Sequence, residues 1–267
     1  MTLIRGVLVA CAFILAPFVR SGTAQSVTQL QNLQMPTELA LSPDGSELYF
    51  KLGSDHWRIA TNRGSKAVQS NSGSPSAKAE EILKVDGSPR ASMVRRSPDG
   101  TKIAFLESAT PETALSLFCR CEGERGDYRK LSYLPILGYS WAADSSSFWV
   151  LVNQGADVTL GLLGQDGRFQ QMSSGVALRR FGGLVVAADV VAWIQSDPSH
   201  YGTIWVKDKA GSVYQLWDPN PQTTEWSKFW TQEVVHWKNA HGEELQGVLV
   251  RPQGWSSYVH PTPQAFV

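Results

Sequence analysis

A turn motif that recurs at nearly constant spacing constrains the fold of this chain more than any other feature of its sequence. A short turn containing Asp follows an apolar or mixed stretch four times, with steps of 55, 45 and 45 residues, at Ser42–Gly45, Ser97–Gly100, Ala142–Ser145 and Ala187–Val190. A fixed period of this size indicates a repeated supersecondary unit, because equivalent turns then lie at equivalent places in successive units.

The residues around each turn predict four strands per unit. Second strands are expected at Glu47–Leu52, Lys102–Leu106, Ser147–Val152 and Val190–Gln195, third strands at His56–Ala60, Leu115–Arg120, Val158–Leu163 and Thr203–Lys207, and fourth strands at Tyr128–Ser132, Phe169–Ser173 and Val213–Trp217. Four short strands per repeat of about 45 residues are typical of a β-propeller blade. The expected fold class is therefore all-β, a β-propeller of about four four-stranded blades over residues 30–222.

The first turns of the units differ in whether they contain Gly, and the first unit has an additional loop. Gly45 and Gly100 follow an Asp, which suits a tight reversal with positive φ, whereas the last two turns lack this Gly and are expected to be looser or of another type. The Ser- and Gly-rich stretch Asn62–Ala79 is expected to be a mobile excursion of the first blade. Four blades lie at the low end for a ring. If the ring is incomplete, the first and last blades would each leave a face uncovered, which would favour self-association.

Charge and composition exclude several classes of partner. The 267 residues carry 24 basic and 24 acidic side chains, so the formal net charge is zero, and no basic stripe is present. Nucleic acids and anionic membrane surfaces are therefore not expected partners.

The amino-terminal residues 1–24 predict a signal peptide, with an apolar run Gly6–Phe18 and small residues before Ala24. Cleavage after Ala24 would give a secreted or periplasmic protein without a membrane anchor.

Several segments resemble one family of enzymes. The Ser-Pro-Asp-Gly turns, the closing stretch Tyr214–Gln222 and above all the segment Glu233–Trp255 are similar to the prolyl oligopeptidase family of serine peptidases, in its secreted dipeptidyl-peptidase and acylaminoacyl-peptidase branch. The turns alone also occur in periplasmic propellers of the TolB type. The resemblance implies that the propeller admits only short peptides to an active site, and that Glu233–Trp255 is the entry hairpin of an α/β-hydrolase domain.

The residues that this family uses for catalysis are not found. Its chemistry needs a Ser on a Gly-x-Ser-x-Gly turn, an Asp and a His, and that motif occurs nowhere in the sequence. We therefore assign no catalytic residue, no cofactor-binding residue, no metal ligand and no cofactor. Residues 223–267 are interpreted as the junction and the start of a truncated hydrolase domain, so that a peptide substrate is expected only if the missing domain is supplied. Whether the chain alone is an enzyme stays open.

Some residues nevertheless invite a functional interpretation. His236, His241 and His260 could be general bases, but no nucleophile motif lies near them, and exposed junction histidines are expected instead. Glu243 and Glu244 are adjacent, so on a strand they would point to opposite faces. The pair Glu80–Glu81 is similar in appearance to the pair that binds the substrate amino terminus in the dipeptidyl-peptidase branch, although its surroundings do not match.

A structural role is also the simpler expectation for the two cysteines of the mature chain. Cys119 and Cys121 lie two apart on a predicted strand, where a disulfide would be strained and burial of two small side chains is the simpler expectation.

Trp226 and Trp230 are predicted to share a short helical stretch, and with Trp217 and Trp237 they are expected to pack the junction after the last blade. A platform for stacking sugars is the alternative, and without the hydrolase domain part of this cluster would be a sticky patch.

Three functions from different classes remain. The first is the substrate-gating propeller portion of an exported peptidase of the prolyl oligopeptidase type, non-catalytic by itself. The second is a stand-alone TolB-like periplasmic propeller that serves as a protein-binding scaffold. The third is a carbohydrate-binding module based on the 10 tryptophans.

Overall fold

The structure is a computed structural model that describes residues 32–71, 90–108, 110, 114–121, 128–172, 180–197 and 199–253, with only the backbone at 180–182 and 226. These residues form four four-stranded antiparallel sheets and one two-stranded sheet, and the four larger sheets are the blades of a β-propeller. The predicted all-β fold class is thereby confirmed. The predicted signal peptide lies outside the described residues.

Each blade consists of four strands in chain order. Blade 1 contains β1 (Pro36–Leu41), β2 (Glu47–Leu52), β3 (Asp55–Ala60) and β4 (Val68–Ser70); blade 2 contains β5 (Ser92–Arg96), β6 (Lys102–Glu107), β7 (Ser116–Cys121) and β8 (Arg129–Lys130); blade 3 contains β9 (Ile136–Trp141), β10 (Ser147–Gln154), β11 (Asp157–Gly164) and β12 (Phe169–Gln171); blade 4 contains β13 (Arg180–Ala187), β14 (Val190–Asp197), β15 (His200–Lys207) and β16 (Val213–Trp217).

The strand β4 lies in a stretch that the sequence analysis assigned to a mobile excursion. Val68 and Ser70 pair with Arg58 and His56, so the prediction was wrong for residues 68–70. The strand was missed because it is only three residues long and its place is fixed by backbone pairing with β3. Residues 72–79 of that stretch lie outside the described part of the chain.

The first turn of each blade has a recurrent hydrogen-bond pattern. In blades 1 and 2, Gly45 N donates to Ser42 O and Gly100 N donates to Ser97 O, both at 2.9 Å, with the two glycines at φ +72° and +75°. Blade 3 repeats the pattern, because Ser145 N donates to Ala142 O at 3.0 Å and Ser145 takes φ +59°. The expectation of a looser turn there was wrong.

The first turn of blade 4 does differ, as expected. Ala188 and Asp189 have φ values of +45° and +67°, and Ala187 pairs directly with Val190, so the reversal uses two residues. Positive φ at both central positions is the signature of a tight hairpin turn whose twist matches that of the strands.

Burial of the blade faces links the blades in the spatial order 2, 3, 4, 1. One hydrophobic cluster joins blades 2 and 3 around Leu117 and Phe148, a second joins blades 3 and 4 around Trp149 and Val191, and a third joins blades 4 and 1. The third cluster contains Leu48 and Ile204, both completely buried. The first and last blades therefore cover each other, and their mutual faces are not left open.

The opposite face of blade 1 carries ion pairs beside the buried Tyr49. Lys51 contacts Glu38 at 2.7 Å and Arg58 contacts Glu47 at 2.8 Å, on the side of the sheet that alternates with the buried Leu48 and Phe50. Within the described ranges, no hydrophobic cluster joins blade 1 to blade 2. The seam of the ring thus lies between blades 1 and 2.

A completely buried Asn closes the ring between the last and first blades. Asn220 accepts a hydrogen bond from Gln34 N at 2.9 Å and donates to Gln34 O and Tyr201 O, each at 2.7 Å. One amide side chain thereby binds the backbone of the segment that precedes β1, 186 residues away. Because a buried polar group is costly without partners, these bonds make the geometry of closure specific.

The chain leaves blade 4 through a short helical junction. Helix α1 spans Thr223–Trp226, a 3-10 turn spans Ser227–Phe229, and a hairpin of β17 (Trp230–Lys238) and β18 (Glu244–Pro252) follows. The prediction that Trp226 and Trp230 share a helical stretch was wrong for Trp230, which begins β17 opposite Pro252. The helix ends before the alternating pattern of the hairpin begins.

We expect Tyr139→Phe to destabilise the propeller at the interface of blades 2 and 3. The completely buried Tyr139 hydroxyl lies 2.7 Å from Met93 O and 2.6 Å from Ala104 O, so its removal leaves buried carbonyl groups without this donor. The loss of unfolding free energy should be about 1–3 kcal/mol in urea denaturation. Tyr133→Phe is the matched control, because that side chain is 91% exposed; an equal effect of both changes would contradict this role.

Acid should weaken the fold through the turns of blades 1 and 2. Hydrogen bonds from Ser42 and Ser46 to Asp44, and from Ser97 and Thr101 to Asp99, lower the pKa of each carboxyl from 3.8 to about 2. The stabilisation is therefore present above pH 3.8 and is lost as the pH falls through about 2.

The measurement is the midpoint of urea unfolding as a function of pH. The variant Asp44→Asn/Asp99→Asn should show a shallower loss of stability than the wild type in that interval. Asp166→Asn is a control in the turn of blade 3, where the carboxylate accepts a backbone hydrogen bond from Arg168. Identical profiles for the wild type and the double variant would refute the assignment.

Candidate functional site

The antiparallel blades give the ring two chemically different ends. The Asp-Gly end carries the first turn of each blade and the third turns Asn62–Gly64, Gln165–Gly167 and Asp208–Gly211. The junction end carries the second turns, including Gly53–Ser54 and Gly155–Ala156, together with residues 218–229. The hairpin β17–β18 follows directly from the junction, so the segment with the family resemblance begins at the junction end.

The hairpin has apolar side chains on both faces. On one face Trp230, Val248 and Val250 are 53%, 42% and 51% exposed. On the other face Trp237 is 48% exposed and packs over Gly247, where a Cβ would lie 3.0 Å from the indole ring. An isolated two-stranded hairpin is at best marginally stable in water. These faces are suited to burial against a further element.

One side chain of the hairpin approaches the ring closely. A Cβ on Gly155 would lie 1.2 Å from Nε2 of Gln246, so the second turn of blade 3 has no room for any other residue while Gln246 takes this position. Gly155 also has φ +68°, a conformation that other residues rarely adopt. The hairpin therefore lies against the junction end at blade 3.

A His–Asp pair lies at the same end, in the second turn of blade 4. His200 Nδ1 is 3.0 Å from Asp197 Oδ1, and the same oxygen accepts hydrogen bonds from Ser199 N at 2.8 Å and His200 N at 2.9 Å. The sequence analysis did not single out this pair, although the spacing Asp-Pro-Ser-His in a turn could have indicated it. The carboxylate orients the imidazole, as in hydrolytic sites, but the structure shows no Ser hydroxyl bonded to the ring within the described residues.

The histidines that invited a general-base role are not brought together. His236 lies on β17 and His241 in the hairpin turn, and both are exposed. Glu243 belongs to the same turn and binds Asn239, whereas Glu244 begins β18. His260 and the pair Glu80–Glu81 lie outside the described residues.

The tryptophans divide into buried and exposed groups. Trp217 is half-buried between Phe50 and Trp57, with ring centroids 5.0 and 6.2 Å away, and so packs blade 4 on blade 1. Trp230 and Trp237 instead lie on the exposed faces of the hairpin. The predicted packing of the cluster is therefore found only at the blade interface, because Trp230 and Trp237 are exposed on opposite faces of the hairpin. The side chain of Trp226 is outside the described part.

The cysteines are free thiols with different surroundings. Cys119 is buried and Cys121 is exposed at the end of β7. Burial raises the pKa of the Cys119 thiol to about 11, so it is protonated at neutral pH. Among the residues that the structure describes, no three His, Cys, Asp or Glu side chains are grouped so that they could hold a metal ion. The described helices include none that is long and apolar enough to cross a membrane.

Comparison with solved structures places propellers of two kinds among the similar proteins. A putative TolB from Agrobacterium tumefaciens aligns with 82% of this chain and 79% of its own, at 15% identity and a TM-score of 0.41. The AtxE2 isopeptidase aligns with 78% of this chain, at 16% identity and a TM-score of 0.48. Prolyl oligopeptidase B from Galerina marginata aligns with 82%, at 11% identity and a TM-score of 0.45.

The aligned region spans 31% of the length of each of these two hydrolases. No protein-family model matches the chain, and no curated protein matches it.

We expect the hairpin faces to bind an apolar dye. Trp230→Ser/Val250→Ser should lower the fluorescence of bound anilinonaphthalene sulfonate by about half, since it removes much of one exposed apolar face. Val213→Ser is the matched control, because Val213 is 49% exposed on the outer strand of blade 4. Unchanged fluorescence in the double variant would show that the dye binds elsewhere.

Proposed function

We propose that this chain is the substrate-gating propeller portion of an exported serine peptidase of the prolyl oligopeptidase type, and that it is not catalytic by itself. The observation that carries the proposal is the hairpin β17–β18, which leaves the ring at the junction end with apolar residues exposed on both faces. A hydrolase domain that follows the hairpin would cover those faces. Export after cleavage at Ala24 is part of the same proposal.

The exposure of the hairpin supports this assignment more strongly than the blades do. The blades bury apolar faces against each other in three clusters, whereas a two-stranded ribbon with Trp on each face needs a partner layer. The resemblance of Trp237–Pro252 to the entry hairpin of a hydrolase domain supports such a domain as that layer. In such an arrangement the ring would limit access to the catalytic groups by size.

The proposed lack of activity rests on the chemistry of the described residues. Asp197 could orient His200 as a general base. Acyl transfer also requires a nucleophile that is hydrogen-bonded to the imidazole, and donors for the oxyanion. The sequence has no Gly-x-Ser-x-Gly turn to present such a nucleophile. A peptidase would therefore depend on residues supplied by a further domain.

One observation favours a second candidate, a stand-alone propeller of the TolB kind that binds another protein. Blades 4 and 1 share a hydrophobic cluster and are joined through Asn220, so the ring is held together without a hydrolase domain. A scaffold would use its ends as docking surfaces. On this alternative the apolar hairpin would be part of the partner-binding surface.

The test combines activity with the downstream gene sequence. We expect the purified chain to leave X-Pro and aminoacyl p-nitroanilides intact and to take no label from a fluorophosphonate probe, with subtilisin as the positive control. A reading frame beyond codon 267 should encode Gly-x-Ser-x-Gly. Labelling of the purified chain would overturn the non-catalytic assignment, and a downstream sequence without that motif would favour the scaffold.

A further inference from the structure

The methionine side chains in the described part of the chain lie at its surface. Three of the four methionines belong to those ranges, and Met35, Met93 and Met172 are 37%, 39% and 41% exposed. Oxidants such as hydrogen peroxide convert an accessible thioether into a polar sulfoxide. Because the three exposures are nearly equal, the surroundings of each sulfur determine what its oxidation does to the fold.

Met35 belongs to the segment that closes the ring. It follows Gln34, whose N–H and carbonyl are both hydrogen-bonded to the buried amide of Asn220, at 2.9 and 2.7 Å. The side chain of Met35 extends to the second turn of blade 4, because a Cβ on Gly202 would lie 3.1 Å from Met35 Sδ. Met35 thus joins the residues before β1 to blade 4 through its sulfur.

The turn beneath this sulfur also holds the junction. Tyr201 O accepts a hydrogen bond from Asn220 Nδ2 at 2.7 Å, and Ser199 O accepts one from Thr223 Oγ1 at 3.1 Å. Thr223 begins the short helix that leads to the hairpin. A displacement of Met35 from this turn therefore acts at the place where the ring closure and the junction meet.

The backbone donors on either side of this contact are already used. Gly202 N donates to Ser196 Oγ at 2.9 Å. Gln34 N donates to Asn220, and Pro36, which also lies beside Gly202, has no N–H. A polar group that is buried without a partner is costly, so a sulfoxide oxygen has to turn towards solvent and move the side chain away from Gly202.

The other two methionines have different surroundings. Met172 follows the outer strand β12 of blade 3, where its N–H donates to Leu160 O of the same blade at 3.0 Å. Met93 approaches blade 3 with its terminal carbon, which would lie 4.0 Å from a Cβ on Gly138, an ordinary van der Waals separation. Oxidation at either position therefore leaves the closure between blades 4 and 1 in place.

We propose that Met35 is a modification site, at which oxidation by hydrogen peroxide loosens the closure between blades 4 and 1. The lone pair of Sδ attacks one peroxide oxygen, so that an S–O bond forms, the O–O bond breaks and water leaves. The thioether loses two electrons and the peroxide gains them. A methionine sulfoxide reductase reverses the change with two thiols, which become a disulfide while the oxygen leaves as water.

The experiment compares thermal unfolding before and after hydrogen peroxide in the wild type, Met35→Leu and Met172→Leu. Leu is close to Met in volume and has no sulfur to oxidise. Peroxide should lower the unfolding temperature of the wild type and of Met172→Leu by about 2–4 °C, and should leave that of Met35→Leu unchanged. A methionine sulfoxide reductase with a thiol should restore the unfolding temperature of the oxidised wild type.

Hydrogen exchange gives a second readout that needs only the wild type. The N–H of Gln34 should exchange about three- to tenfold faster after oxidation, because its bond to Asn220 opens more often. The N–H of Gly100, which is bonded within the first turn of blade 2, is the matched control and should not change. Peptide mass spectrometry records which methionines carry the added oxygen.

Three outcomes would each overturn the proposal. They are an equal loss in Met35→Leu and the wild type, unchanged exchange at Gln34 in protein oxidised at Met35, and oxidation of Met93 and Met172 without Met35. Each comparison is made within one variant, so a change of stability caused by Leu itself does not affect the result. None of these measurements uses peptidase activity, so failure here is distinguishable from failure of the gating role.

Discussion

The need of each four-stranded sheet to bury its faces against a neighbouring sheet governs this structure. The three hydrophobic clusters show that apolar blade faces are buried in pairs, between blades 2 and 3, 3 and 4, and 4 and 1, whereas the other face of blade 1 carries ion pairs. The apolar area removed from water at these interfaces is the main source of stability in such a fold.

Polar contacts then determine which blades meet and at what angle. Tyr139 binds two carbonyls of blade 2, and Asn220 binds the backbone that precedes blade 1. Burial alone is tolerant of small shifts, but a buried hydroxyl or amide must find its partners or lose stability. The seam between blades 1 and 2 is consistent with this division, since blade 1 presents ion pairs on that side.

The two ends of the ring expose different kinds of side chain. At the junction end the hairpin exposes Trp230 and Trp237, which supports a further layer over that end. At the Asp-Gly end the turns of blades 1 and 4 expose charges of both signs around Tyr214. A propeller can carry both, since its ends are built from separate sets of turns.

The sequence by itself determined the elements that depend on local chemistry. The repeat of turns, apolar strands such as Ser147–Gln154 and the hairpin around Asn239–Glu243 were all predictable, because a turn and its flanking strands are encoded by residues close together. The short strand β4 was not, since its place is set by backbone bonds to β3. Ser145 was also missed, because its hydroxyl meets Asp99 N only once blades 2 and 3 are packed.

The closure of the ring and the candidate sites required the tertiary structure. Asn220 meets Gln34, Tyr214 meets Thr61, and Arg63 meets the ring of Tyr214 across more than half of the chain. Turn propensities and strand periodicity carry no information about which blade follows another in space. Packing decides it, because only the folded arrangement shows which faces can be buried together and which charges are left without a protein partner.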